Sequence, residues 1–348
     1  MCERQGVIPP RKPSRRLIGL VLTLLCLLAG CTPAQTSPRE STFFAMDTVM
    51  SVTLYAGGDD ALLDQARARV EELEGLLSVT RPDSEVFALN RDGSAVLSPD
   101  TAALLSGGLD LCRRTGGALD LSIYPVLRAW GFTTGSYRVP TQAELDELLS
   151  RVDYTQIALS EEDTASLPEG MELDLGSVAK GYTGDVLAAL LAERGVTSAL
   201  LDLGGNIQTV GAKPNGSPWR VAVRAPEGEG TVGVLSVTNQ AVVTSGGYER
   251  YFESEGVRYW HILDPKTGAP ARSGLLSVTV VGDSGLTCDG LSTALFVMGL
   301  DGALDHWRTH RDFEAVFLSE DGSVTITAGL EGSFELSQNE RALTVARP

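Results

Sequence analysis

Strand and helix signals in this chain never settle into the regular alternation that a parallel sheet requires, and that irregularity is its tightest constraint on fold. Phe43 to Tyr55 is dense in β-branched and aromatic residues and reads as a strand. Leu62, Ala66, Val70, Leu73 and Leu77 then carry the spacing of one helix face. Ser98-Pro99 opens a second helix that Gly116-Gly117 stops, and Thr141 with Glu144 forms the capping box of a third. Val178 to Arg194 reads as a fourth, closed by Gly195. Strand candidates follow at Ala199–Leu203, Trp219–Arg224, Val232–Val237, Ala241–Thr244, Tyr259–Leu263 and Leu276–Val281. A short helix is expected near Leu291–Met298, then a hairpin from Ala315–Leu318 and Val324–Thr327. The mixture is α+β, and no composition break divides it, so one compact domain of residues 42–348 is expected.

The first thirty residues stand apart. Arg11, Lys12, Arg15 and Arg16 precede an uncharged apolar run, Leu17 to Leu28, too short to span a bilayer comfortably. It ends in Leu28-Ala29-Gly30-Cys31, which resembles a bacterial lipobox. Residues 1–30 therefore read as a lipoprotein signal peptide and Cys31 as the lipidated mature N-terminus. Residues 31–41, rich in Pro, Ser and Thr, read as a tether, which puts the protein on the extracytoplasmic face of the membrane.

With 45 acidic and 28 basic residues the formal charge is -17, which argues against nucleic acid as a partner. Hydrophobic content of 43% suffices for a core. Beyond Cys31 only Cys112 and Cys288 remain, too few for a disulfide framework and expected as buried thiols.

Polar residues gather at glycine-punctuated element ends. In Asp174-Leu-Gly-Ser-Val-Ala-Lys-Gly-Tyr182 a strand is expected to run into glycine and a helix to begin with Lys180 in its first turn, aiming N–H groups and a cation at an anion. Leu203-Gly-Gly-Asn206 permits close approach of the backbone. Thr244-Ser-Gly-Gly-Tyr-Glu-Arg250 leads to His261-Ile-Leu-Asp-Pro-Lys-Thr-Gly268, with His261 at a strand end. His306 and His310 are expected on the surface of an amphipathic helix. Asp289 and Thr293, four apart, share one helix face and offer a hard cation two oxygens.

In this order the clusters resemble the ApbE family, the FAD:protein FMN transferases. Supporting pieces are Ala45-Met46-Asp-Thr48, Arg81-Pro-Asp-Ser-Glu85 with Leu89-Asn90, Gly117-Ala-Leu-Asp120, Tyr124-Pro125 and Trp130-Gly-Phe132. The resemblance implies a single, T-fold-like α+β domain. It implies Mg²⁺ on Asp289, Thr293 and the Ser177 carbonyl, FAD contacts from Met46, Ala118, Leu119, Asp120, Lys180 and Leu263, and His261 as the group that activates the acceptor hydroxyl. It also implies acceptor proteins carrying a flavinylation motif, either membrane redox subunits or secreted flavoproteins. The chain departs from the family pattern at Asp47, where glycine is usual, at Thr80, where an aromatic is usual, and at Gly290, where alanine is usual.

The implied reaction is Mg²⁺-dependent transfer of FMN from FAD to a Ser or Thr hydroxyl of a protein, releasing AMP. A histidine with an unperturbed pKa of ~6.5 would lose that role as pH falls through it. Two alternatives remain: a Mg²⁺-dependent FAD pyrophosphatase giving free FMN and AMP, and a flavin-binding lipoprotein without catalysis.

Overall fold

The Phe43–Tyr55 run is two strands, not one. In the computed structural model, which describes residues 37–226, 230–337 and 341–348 together with Met1, β1 (Arg39–Ala45) and β2 (Thr48–Ala56) pair antiparallel about Met46-Asp47. Both turn residues have positive φ, 48° and 59°, which matches the right-handed strand twist. Neither is the glycine or asparagine that usually marks such a turn, so the break is silent in the sequence. β1 starts at Arg39, so residues 39–41 of the expected tether belong to the sheet. The signal segment and Cys31 lie outside the described residues.

The next segments are α1 (Asp60–Leu77), α2 (Glu85–Asp92), β3 (Ser94–Val96), α3 (Pro99–Arg114), α4 (Tyr124–Trp130), α5 (Gln142–Leu149), β4 (Ala158–Leu159) and β5 (Thr164–Ser166). The side chains of Ser98 and Thr141 cap α3 and α5 as their sequences require. Then come α6 (Gly176–Glu193), β6 (Ser198–Leu203), β7 (Ile207–Val210), β8 (Trp219–Arg224), β9 (Thr231–Val237) and β10 (Ala241–Gly246). No strand leads into α6; Glu172 makes only an isolated bridge to Ile123. β11 (Tyr251–Ser254) and β12 (Val257–Trp260) form a hairpin, so His261 follows a strand that ends three residues short of the expected Leu263. β13 (Leu275–Gly282) leads to α7 (Gly285–His310), two helical stretches joined at a kink at Gly299 (φ 74°, ψ 173°); the expected Leu291–Met298 falls in the first of them, which starts earlier, at Gly285. β14 (Glu314–Ser319), β15 (Val324–Thr327), β16 (Phe334–Leu336) and β17 (Leu343–Ala346) complete the chain.

Nine strands form the main sheet in the order β1-β2-β6-β7-β10-β13-β14-β15-β17, all antiparallel except β15 with β17. One face carries α1, α6 and α7: Val243, Val278 and Val280 pack with Leu291, Leu295 and Phe296, and Met50, Val52 and Leu54 pack with Leu62, Val70, Leu187 and Leu191. The three-stranded sheet β16-β9-β8 covers the other face, where Trp219, Val221 and Leu235 meet Val242, Val281 and Val316. Covered on both sides, β10 and β13 are apolar almost without interruption. Residues 38–348 form one compact unit, and no described helix is long and apolar enough to cross a membrane.

α6 and α7 cross at two glycines. A Cβ on Gly181 would overlap the Gly285 carbonyl oxygen and stand 2.7 Å from Asp289 Cβ. Gly181→Ala should therefore cost about 1–3 kcal/mol, the usual penalty of overpacking. Gly75→Ala, in α1 with nothing within 4 Å of the added methyl, should gain up to about 1 kcal/mol from helix propensity. Urea unfolding of the two variants is expected to move the midpoint in opposite directions.

Candidate active site

The glycine crossing fixes where the polar residues of α6 and α7 meet. Asp289 is the fifth residue of α7, too far in to be its cap; Ser284 holds that place, accepting from the Thr287 N–H. Asp289 is 5% exposed, and its Oδ2 accepts the Gly181 N–H of the neighbouring helix at 2.8 Å. Burial pushes its pKa up, opposed by Lys180. One turn on, Thr293 Oγ1 lies 3.3 Å from Ser245 Oγ at the end of β10. Lys180 is the fifth residue of α6, not in its first turn as expected. It still acts as the shared cation of the site, opposing the upward, burial-driven pKa shifts of Asp174 and Glu249 as well as that of Asp289.

Two turns close the opposite wall. Gly204, at φ +72°, presses against Thr48, whose side chain a Cβ there would overlap, and this ties the Met46-Asp47 turn to the turn before β7. The Met46 N–H donates to Glu74 Oε1 at 2.9 Å. Leu119 and Leu263 are buried. The Asp120 carboxylate is turned into the fold: Oδ1 accepts from the Ser122 N–H at 2.9 Å and its hydroxyl at 2.6 Å, and Oδ2 from the Tyr154 N–H at 3.1 Å. This segment therefore presents backbone and apolar surface rather than a free charge.

His261 completes the wall. Its Nδ1 is 3.2 Å from the Arg250 carbonyl, and its N–H donates to the same oxygen at 3.1 Å. A carbonyl can only accept, so Nδ1 carries the proton and Nε2 is the basic nitrogen. Burial, with Arg250 and Lys180 nearby, lowers its pKa to about 4, so the ring is neutral at pH 7. His306 departs from expectation: it is half-buried, its ring 4.3 Å from that of His310 and 6.0 Å from that of Phe313, and burial lowers its pKa to about 4 also.

One cavity of about 480 Å³ collects every residue that the family resemblance assigned to cation, flavin or base: Met46, Ala118, Leu119, Asp120, Ser177, Lys180, His261, Leu263, Asp289 and Thr293 all line it. Arg224, Tyr248 and Glu249 line it too and were not singled out. Arg224 ends a strand of strict in–out alternation, which marks it as a solvent residue. The cavity gathers Lys180, Arg224 and Arg250 beside the carboxylates of Asp47, Asp120, Asp174, Glu249 and Asp289, an arrangement that suits an anionic ligand bound together with a cation.

This is the architecture of the flavin transferases. The chain matches the structure of the Pseudomonas stutzeri flavinyl transferase ApbE with a TM-score of 0.78 and 30% identity, over 87% of this chain and 99% of that one. The corresponding values for the Thermotoga maritima ApbE protein are 0.80 and 28%, over 85% and 99%. It is 33% identical to the FAD:protein FMN transferase of Treponema pallidum (strain Nichols), over 90% of this chain and 93% of that protein. The model of the ApbE family matches residues 46–317, and the chain belongs to that family. Cys112 and Cys288 are free and buried, as expected.

His261 and His306 are protonated more readily unfolded than folded, so their contribution to stability is fully present above pH ~6.5 and is lost as pH drops from there toward 4. His261→Asn removes one of these groups. Thermal unfolding at stepped pH is expected to show a shallower loss in that variant, by about 1.4 kcal/mol per pH unit at most.

Proposed function

We propose that this chain transfers FMN from FAD to a Ser or Thr hydroxyl of an acceptor protein, with Mg²⁺ as cofactor and AMP as the other product. The observation that carries the reading is the single cavity in which a buried carboxylate–hydroxyl pair, a lysine and a neutral histidine stand together. The curated relatives named FAD:protein FMN transferase support it.

The donor set fits a hard cation: Asp289 carboxylate, Thr293 hydroxyl and Ser177 carbonyl are all oxygen. Among the described residues no three His, Cys, Asp or Glu side chains cluster as metal ligands, so one carboxylate with substrate phosphates would have to complete the sphere. Bound there, Mg²⁺ would neutralise the pyrophosphate and stabilise the departing AMP. The chain's own groups do the rest. Lys180 and Arg224 hold the phosphates by charge, and the turn at Met46, with Leu119 and Leu263, offers apolar surface to the rings. His261 Nε2 takes the proton of the acceptor hydroxyl as its oxygen attacks the phosphorus nearer riboflavin and the bond to the AMP oxygen breaks. With the pKa near 4, that base stays competent well below the ~6.5 expected of a free imidazole.

Incubation with FAD, Mg²⁺ and an acceptor protein, read as flavin fluorescence in a denaturing gel, tests the reaction. Free FMN and AMP without protein-bound flavin would make the chain a pyrophosphatase, and unchanged FAD would make it a binder. Asp289→Asn keeps the acceptor for the Gly181 N–H and loses the charge, so transfer should vanish while the fold persists. His261→Asn should slow transfer by about 10²–10⁴-fold, and the wild-type rate should hold from neutrality down to about pH 5.

We further propose that Cys31 carries a lipid anchor that holds the domain on the extracytoplasmic side of the membrane, where membrane redox subunits or secreted flavoproteins would be acceptors. Cys31→Ala should move the protein from the membrane to the soluble fraction on immunoblots. Retention of that variant in the membrane would remove the proposal.

A further inference from the structure

Asp185 takes no part in the cavity wall, yet it makes more contacts across the α6–α7 crossing than any cavity residue does. It lies one turn beyond Gly181 on α6. Its Oδ1 accepts the Gly285 N–H at 2.6 Å, and its Oδ2 accepts the Leu286 N–H and the Ser284 hydroxyl, each at 3.0 Å. These are the first N–H groups of α7, which the helix cannot satisfy itself. Ser284 serves Thr287, so the two side chains divide the helix start between them. The cap thus comes from the neighbouring helix, and it fixes the axial position of α7 relative to α6. That position decides where Asp289 stands relative to Gly181 and Ser177. Asp185 and Asp289 also flank the same glycine pair: a Cβ on Gly285 would stand 3.0 Å from Asp185 Oδ1, and one on Gly181 2.7 Å from Asp289 Cβ.

We infer that Asp185 is a positioning residue for the cation site: by clamping the start of α7 to α6 and placing negative charge behind Asp289, it sets how tightly the Asp289–Thr293 pair holds a divalent cation. The inference rests on the metal reading proposed above. A carboxylate held on one oxygen by the Gly181 N–H can turn its other oxygen to a cation only if the two helices keep their register. A second anion nearby makes a doubly charged ion more welcome at the same point.

The test uses the full chain and Mn²⁺ as the probe, titrated to millimolar levels in the absence and in the presence of FAD and read by water-proton relaxation against an FAD blank. Asp185→Asn and Asp185→Ser each keep an acceptor for the α7 N–H groups and lose the charge. Either is expected to weaken Mn²⁺ binding about tenfold, with circular dichroism unchanged. A plain helix cap would lower the melting temperature and leave the Mn²⁺ midpoint in place, so wild-type affinity in a folded variant overturns the inference. Ser284→Ala cuts one bond to Asp185 and covers the case in which neither Asp185 variant folds. It is expected to weaken Mn²⁺ about threefold, and no change there is equally fatal. Absence of Mn²⁺ binding by the wild-type protein would instead remove the metal reading beneath it.

Discussion

The contact between Gly181 and Gly285 sets the geometry of the cavity. Two helices with side chains at the crossing would sit 8–10 Å apart. Here neither glycine has room for a methyl group, and the backbones touch. Only at that separation can a main-chain N–H of α6 bond a carboxylate of α7 and a carboxylate of α6 cap the first turn of α7. The main sheet supplies the platform on which both helices lie, and the polar groups that α6 and α7 give to the cavity inherit their spacing from the crossing.

The cavity sets three basic side chains, Lys180, Arg224 and Arg250, among five acidic ones, Asp47, Asp120, Asp174, Glu249 and Asp289. Most arginines are spent in surface ion pairs such as Arg67–Glu71 and Arg220–Glu335, which contribute little to stability. Lys180, Arg224 and Arg250 form no such pair among the described residues and face the cavity instead. On an acidic molecule these three cations give an anionic ligand a local point of attraction, beside carboxylates that suit a cation.

What could be seen in the sequence followed local physics. Ser98 and Thr141 announce their helices because a cap needs only residues within one turn. The candidate site was legible because its residues occur in motifs that resemble a family; every one of them reaches the same cavity. The misses have non-local causes. α7 carries Gly285, Gly290, Gly299 and Gly302, which lowers its helix propensity and hides its length. The reason for Gly290 lies in other elements, since a Cβ there would meet Leu111 at 2.7 Å and Val178 at 3.1 Å. His306 is half-buried because Phe313, beyond the helix end, folds back beside it. Asp185 could not be recognised, because its partners are a hundred residues away.

The hairpin that opens the fold has a mechanical consequence. Its turn, Met46-Asp47, is cavity wall, while its other end, Arg39, is where the N-terminal segment joins the domain. The pairing runs from Arg39 opposite Leu54 to Ala45 opposite Thr48, with an Arg39–Asp60 ion pair at the outer end. A pull on the N-terminal segment must peel this edge strand pair by pair before it disturbs the turn. The hairpin is therefore a strain relief: force applied to the chain ahead of Arg39 would be dissipated in β1, and the turn in the cavity wall is the last thing it would reach.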